Sequence, residues 1–323
     1  WMQNMRSRWG RLVSENRWDV CVESYSPNRG QTPKVPYEEI RMAERRQSIL
    51  ISGASTGMGF ETLRLFAQKG YRVFACTRDP ELLQERLMRQ RIEGVEVLYV
   101  DLHSAASVHS AVESLTQKAG TIDILVNNAG YGLVSTLEEV SDEEMIDQFQ
   151  INLFGLVRMT RAVLPLMRKR RSGVIVNISS FLGRVGLPLL SFYNASKYAV
   201  EGITDSLRLE LAPWNIRVHS VMPGFFNTQF ARKNLRINAA VQSPDSPYAR
   251  LSETLAPRVI RQINEGNDPR LVAEAIWQIA EDPDAPVRVA VGDIARQFLT
   301  MRRELSDKEY ERRVMEYYGI DVE

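Results

Sequence analysis

Cysteine and histidine are scarce: the 323 residues hold two cysteines, Cys21 and Cys76, and three histidines. Two cysteines so far apart build no disulfide framework and lack the spacing of a zinc site, so no metal is expected and a reducing compartment suits the chain. Nor is there an excess of charge of one sign. Lys plus Arg number 41 against 40 for Asp plus Glu, a net charge of +1, which gives no global field for nucleic acid or an anionic membrane. No run of about 18 apolar residues is present to span a bilayer, and the arginine-rich start lacks the apolar core of a secretory signal. A soluble globular protein is expected, placed in the cytoplasm, whose function resides in a site. With 44% hydrophobic residues the chain can bury a sizeable core.

Residues 1–47 carry several prolines and arginines, no sustained hydrophobic period, and a turn-rich piece, SYSPNRGQTPKVP. They are expected to form a disordered tail, with Met42 as a candidate native start. From residue 48 to residue 323, short apolar runs alternate with longer amphipathic segments, the pattern of a parallel sheet with crossover helices on both faces. The class is α/β, in a single domain. Seven runs read as strands, beginning at Ser48, Tyr71, Val95, Ile122, Gly173, Ile216 and Val287. The longest helical patterns run from about Ser141 to Lys169 and from about Leu190 to Leu211. The basic cluster Arg168 to Arg171 follows an apolar helical pattern and precedes a glycine, which fits cations at a helix C-terminus better than a phosphate-binding patch.

The stretch ISGASTGMGFETLRLF runs from the first strand into an amphipathic helix, with Gly53, Gly57 and Gly59 spaced Gly-x3-Gly-x-Gly. Glycines there let backbone amides approach a pyrophosphate at a helix N-terminus, although they also serve tight strand–helix packing. At the end of the second strand, ACTRDP offers Thr77 and Arg78 where a free ribose 2′-hydroxyl would call for a carboxylate. This favours NADP over NAD, against the alternative of a solvated turn arginine. Asp101 closes the third strand in VDL, beside Leu102. It is placed to accept a hydrogen bond from the adenine amine or to cap the helix that follows. NNAG, Asn127 to Gly130, ends the fourth strand, where Asn128, Ala129 and Gly130 would let the chain pass close to a cofactor; a plain asparagine–glycine turn is the alternative.

Taken in order, SGASTGMG, NNAG, INLFG, NISS, YNASK and PG resemble the motifs of the short-chain dehydrogenase/reductase family, over about Ser48 to Ala295. The resemblance implies a Rossmann fold, a doubly wound parallel sheet of about seven strands. It implies that Tyr193 is the catalytic acid/base, that Lys197 one turn on lowers the phenol pKa and binds the nicotinamide ribose, that Ser180 hydrogen-bonds the substrate oxygen, and that Asn152 links the lysine to a proton relay. A free phenol with a pKa of about 10 is a poor base at neutral pH, so a nearby cation suits the role. The cofactor would lie on Gly53, Ser55, Gly57, Met58 and Gly59, on Arg78, Asp101 and Leu102, and on Asn128, Ala129 and Gly130, in contact with Tyr193 and Lys197. In PGFFNT, Pro223, Gly224, Phe226 and Thr228 would meet the nicotinamide amide and pyrophosphate. Ser52 stands where the family often has threonine.

The activity implied is NADP(H)-dependent interconversion of a secondary alcohol and a ketone or aldehyde. A catalytically silent NADP-sensing protein is the alternative. Leu182, Val185, Leu187, Leu189, Leu190 and Phe225 would form an apolar wall near the catalytic pair, or ordinary core. TRDP and PGFF resemble the hydroxysteroid and retinol dehydrogenase branch, which implies a lipophilic, steroid-, retinoid- or long-chain-like substrate. Residues 228–269 read as an irregular substrate flap, and a helical extension is expected from about residue 295. Family resemblance also implies a homodimer or homotetramer.

Overall fold

The computed structural model describes residues 46–228 and 234–320, so the expected tail, apart from its last two residues, lies outside the described residues. Each of the seven apolar runs forms a strand, and two short strands join them. In chain order the strands are β1 (Ser48–Ser52), β2 (Arg72–Thr77), β3 (Val95–Tyr99), β4 (Ile124–Asn127), β5 (Gly132–Val134), β6 (Gly173–Ile178), β7 (Ile216–Pro223), β8 (Leu235–Ile237) and β9 (Arg288–Val291). Seven of them pair in parallel in the order β3-β2-β1-β4-β6-β7-β9. Connections go one way from β1 to β2 and β3, and the other way to β4 and beyond. The reversal leaves a crevice outside the C-terminal ends of β1 and β4, where such sheets bind ligands.

The helices are α1 (Gly57–Gln68), α2 (Pro80–Arg89), α3 (Ala105–Ala119), α4 (Asp142–Phe149), α5 (Leu156–Arg170), α6 (Ser191–Leu211), α7 (Ala249–Asn264), α8 (Arg270–Glu281), α9 (Asp293–Glu304) and α10 (Asp307–Tyr318). Alternate strand residues supply two cores. Ile49 and Ile51 point to the face covered by Phe60, Leu63 and Phe66 of α1 and Val272, Ile276 and Ile279 of α8. Leu50 points to the opposite face, against Val108 and Leu115 of α3 and Met159, Val163 and Met167 of α5. Each such side chain, fully buried, contributes about 1.5–3 kcal/mol, so both faces are closed by hydrophobic burial. A third cluster includes Leu255, Val259 and Ile263 of α7, Phe298 of α9 and Tyr318 of α10.

Two local departures from the sequence reading matter for the site. The helix expected from Ser141 to Lys169 starts with a capping box on Ser141 and Glu144 but is interrupted by a π-helical turn, Gln150–Gly155, before α5 resumes. Arg158 braces that turn by donating to Leu102 O (2.7 Å) and Gln150 Oε1 (2.7 Å). Residues 228–269, read as irregular, contain β8 and the sixteen-residue helix α7. Pro257 and three arginines mask its period, yet Leu255, Val259 and Ile263 recur every fourth residue and are buried. The basic cluster does end a helix: α5 closes at Arg170, which pairs with Asp123 at 2.5 Å, and Arg171 takes the left-handed C-cap position. Among the described residues no helix is long and apolar enough to cross a membrane.

Candidate active site

The first strand ends in a turn that only glycine fits. Gly53 has φ +64°, and a Cβ there would stand 2.8 Å from Ala129 Cα. A Cβ on Gly59 would stand 2.4 Å from both Asn128 Nδ2 and Gly53 O. The space these atoms leave is already used by hydrogen bonds. Asn128 Nδ2 donates to Ser52 O (3.1 Å) and Gly53 O (3.0 Å), while Ser52 Oγ accepts from the amides of Asn128 (3.0 Å) and Ala129 (3.1 Å). Serine at position 52 therefore holds the turn. Thr56, at the N-cap of α1, makes no side-chain cap, and the first turn carries no acidic residue, which leaves the helix N-terminus suited to an anion.

A cleft of about 1480 Å³, including its mouth, runs along this edge of the sheet. Arg78 and Leu102, after β2 and β3, line it, as do Gly53, Ser55, Gly57 and Met58, after β1, and Asn128, Ala129 and Gly130, after β4. Arg78 is exposed at the mouth. The neighbouring Asp79 is engaged elsewhere, its carboxylate capping α2 by accepting from the Leu82 amide at 3.0 Å. Asp101 does not line the cleft and does not cap α3. Ser104 takes the cap, and Asp101 Oδ1 instead accepts from the His103 amide (3.0 Å) and meets His103 Nδ1 (3.1 Å). Those contacts, the backbone one foremost, hold its carboxyl below the usual range. Gly59 and Asn152 also stand behind the lining rather than in it. Asn152, in the π-turn, donates to Tyr131 O (2.9 Å) and Ser196 Oγ (3.1 Å) and accepts from the Tyr131 amide (3.0 Å).

At the far end of the cleft stand Tyr193, half-buried, and Lys197, buried, on one face of α6. Lys197 Nζ donates to Ile178 O (2.8 Å) and lies 5.8 Å from the Tyr193 ring centroid. The Tyr193 hydroxyl shares a hydrogen bond with Ser180, and Ser180 Oγ also accepts from the Leu182 amide (3.1 Å). Burial pushes the phenol up to about 12, against the Ser180 bond that lowers it. Burial likewise pushes the Lys197 ammonium down to about 8, with the Glu201 carboxylate opposing. In the chain alone the dominant effect on the phenol is thus desolvation.

A second compartment of about 630 Å³ opens on the other side of Tyr193. Met58, Ser179, Tyr193 and Thr228 line both compartments, while Ser180, Pro223, Gly224 and Phe226 line the second alone. Of the six apolar wall residues, Leu182, Leu190 and Phe225 line it; Val185, Leu187 and Leu189 are packed into the third core instead. Leu235, Val259 and Ile263, from the segment read as irregular, complete the wall.

One supporting group escaped the sequence reading. Arg86 donates to Ser55 O (2.7 Å) and lies over the Phe60 ring at 3.4 Å, bracing the glycine-rich turn from α2. Its only sequence signal was a basic residue in the last turn of a helix. Asn127 Nδ2 donates to Thr160 Oγ1 (3.0 Å) and Asn177 Oδ1 (2.9 Å), and Asn177 Nδ2 donates to Thr204 Oγ1 (2.9 Å). Asn127 and Asn177 are register partners on β4 and β6. Buried amides linked in this way, from β4 through β6 to α6, fix the strand ends.

The sequence profile of short chain dehydrogenases matches residues 47–238. The chain is 38% identical over 250 residues to a 3-ketodihydrosphingosine reductase of Bacteroides thetaiotaomicron, covering 77% of this chain and 89% of that one. Among solved structures, a short-chain dehydrogenase from Streptomyces avermitilis superposes with a TM-score of 0.73 at 31% identity, over 86% of this chain and all of that one. An actinorhodin polyketide ketoreductase variant with NADPH superposes with a TM-score of 0.65 at 28% identity, over 76% and 96% of the two chains.

Proposed function

Because the chain belongs to the short-chain dehydrogenase family, and is thereby a nicotinamide-dependent oxidoreductase of CH–OH and carbonyl groups, we propose that it reduces a lipophilic ketone or aldehyde with NADPH. The observation that carries this reading is the position of Tyr193 between the two compartments, with Ser180 on its hydroxyl and Lys197 one turn behind it. The cleft fits a dinucleotide: its glycine turn excludes any Cβ, and a helix N-terminus faces the same space. The glycine-rich turn from Gly53 to Gly59 and Thr228 would hold the pyrophosphate, Arg78 the 2′-phosphate, Leu102 the adenine end in place of Asp101, Asn128 to Gly130 and Lys197 the inner ribose, and Pro223, Gly224 and Phe226 the nicotinamide. When bound, the nicotinamide supplies the hydride.

The protein's own part is placement and a proton. Ser180 would hold the carbonyl oxygen while the Tyr193 hydroxyl donates its proton to that oxygen, leaving a phenolate that solvent reprotonates. Lys197 would stabilise the phenolate, and its hydrogen bond to Ile178 O fixes where the ammonium stands. Asn152 would act by holding the segment at Gly130, where a Cβ would lie 3.1 Å from Asn152 Oδ1 and 3.7 Å from Lys197 Nζ. A lipophilic substrate accords with the apolar second compartment and with the long-chain ketone in the name of the Bacteroides relative. The silent cofactor-sensing alternative lacks support, because Ser180, Tyr193 and Lys197 are all retained and the relative named above is a reductase. Assembly as a homodimer or homotetramer, and a cytoplasmic location, belong to the same proposal.

The test is a panel of small, aromatic, steroid and long-chain ketones and aldehydes, read as NADPH and NADH oxidation. Faster turnover of the lipophilic members with NADPH is the expected result. Turnover only of small polar carbonyls, or a preference for NADH, would reject the finer reading.

A further inference from the structure

One face of α4 grips two strands that the sequence did not announce. Residues three and four apart on a helix share a face, and here Glu144, Asp147 and Gln148 do so. Gln148 holds β5, accepting from the Leu133 amide (2.9 Å) and donating to Tyr131 O (2.9 Å). Glu144 Oε2 accepts from Asn238 Nδ2 (2.6 Å), just past β8. Asp147 is the hub. Its Oδ2 accepts from Arg236 Nη1 (2.7 Å) and the Tyr131 hydroxyl (2.8 Å), and its Oδ1 meets His103 Nε2 (2.6 Å). The Arg236 guanidinium also lies 4.2 Å over the Tyr131 ring, a favourable cation–π arrangement. Burial would raise the Asp147 carboxyl, but the three hydrogen bonds outweigh it and hold the group below the usual range.

Strand β8 is otherwise held by little: three register pairs with β5, and the Asn238 amide on Val134 O at 2.9 Å. A pair of three-residue strands is not stable by itself. Yet consecutive residues of β8 face the two halves of the site, Leu235 lining the apolar compartment and Arg236 the cofactor cleft. We propose that Asp147 is a positioning residue, which docks β8 through Arg236 and so fixes the wall where the two compartments meet. Its carboxylate touches neither reacting atoms nor the Tyr193–Lys197 pair; it acts through Arg236, Tyr131 and the strand that carries Leu235. The inference deepens the proposed function and, in its effect on substrate, rests on it.

Two readouts test it in the full chain. In Asp147→Asn and in Arg236→Gln, the amides of residues 235–238 should exchange hydrogen faster while those of β6 stay unchanged. In reduction of a long-chain methyl ketone with NADPH, each variant should raise the ketone KM by about three- to tenfold, as expected for loss of a coupled, partly exposed ion pair, and Asp147→Asn, whose side chain lines neither compartment, should leave kcat within about twofold. The double variant should be no worse than either single one, and Asp147→Glu should recover most of the KM. Multiplying effects in the double variant, unchanged exchange at residues 235–238, or faster exchange with an unchanged KM would each overturn the assignment. Absence of carbonyl reduction by the wild type would reject the proposed function instead, and the exchange measurement would still decide whether Asp147 docks β8.

Discussion

Replacing Lys197 with methionine should make the protein more stable at neutral pH while abolishing turnover. The ammonium is buried, and desolvation moves its pKa from the ordinary 10.5 to about 8. At about 1.4 kcal/mol per pH unit, holding the charge in the folded state costs about 3 kcal/mol at pH 7. Methionine fills much of the same volume without charge, but it leaves Ile178 O without the 2.8 Å donor it has now, at a cost of about 1–2 kcal/mol. The net gain is then roughly 1–2 kcal/mol, a rise in melting temperature of about 2–6 °C for a domain of this size.

The sign of the pH dependence separates this from an ordinary packing effect. Between about pH 8 and 10.5 the unfolded lysine binds a proton that the folded one does not. Wild-type stability therefore rises through that window, because the penalty, full below pH 8, is gone above 10.5. The variant has no such group, so its advantage should shrink across the window and reverse at the top, where only the lost hydrogen bond remains. Groups common to both proteins cancel in the difference. Urea denaturation of wild type and variant at four pH values between 7 and 11 reads this directly. A variant less stable than wild type at pH 7, with a difference that is flat in pH, would refute the claim that the ammonium is held against its desolvation.

Tyr193→Phe should lower kcat by about 10²- to 10⁴-fold, the usual worth of a placed general acid, while fluorescence titration shows NADPH binding kept. The wild type should oxidise alcohols faster as pH rises towards the ionisation of a phenol that burial pushes up to about 12, and the variant should lose that slope. Arg78→Ala should weaken NADPH binding by about tenfold or more and leave NADH nearly unaffected, since one charge-assisted contact is worth about 1.5–3 kcal/mol; equal losses with both cofactors would discount the 2′-phosphate assignment. Gly53→Ala should destabilise the fold by about 1–3 kcal/mol and lower NADPH affinity, because φ +64° and a Cβ 2.8 Å from Ala129 Cα force the turn open.

The sheet was legible because its central strands are buried on both faces and so appear as short, mainly apolar runs, and all seven strands fall where such runs stand. The first glycine turn was legible for a different reason: no other residue type tolerates its backbone and its neighbours together. What stayed hidden was structure fixed by contacts distant in sequence. Strands of three residues such as β5 and β8 carry no period to detect, and their pairing joins residues 132–134 to 235–237. Helix α7 has a four-residue apolar repeat, but Pro257 and its arginines disguised it. Asp101 shows the same limit within the site, because a helix cap and a contact with His103 have the same local sequence and only the presence of Ser104 at the cap decides between them.

The buried polar residues are not spread evenly through the core. Asn127, Asn177 and Ser220 lie towards the C-terminal ends of their strands, Thr160 and Thr204 on the helices beside them, and Lys197 and Glu201 one turn apart on α6. Most are paired, and Glu201 is the clearest case, accepting from Ser220 Oγ and from Arg288 Nε, which lies at 2.6 Å. Replacing such a network with apolar residues costs little stability or none, so stability alone does not account for its concentration at one edge. Placement does. Lys197 shares a helix with Tyr193 and a hydrogen bond with the last residue of β6, and the carboxylate that opposes its desolvation is anchored in turn to β7 and β9. A charge kept in an apolar setting needs its position set from several elements at once, and the C-terminal edge of the sheet is where β6, β7, β9 and α6 converge.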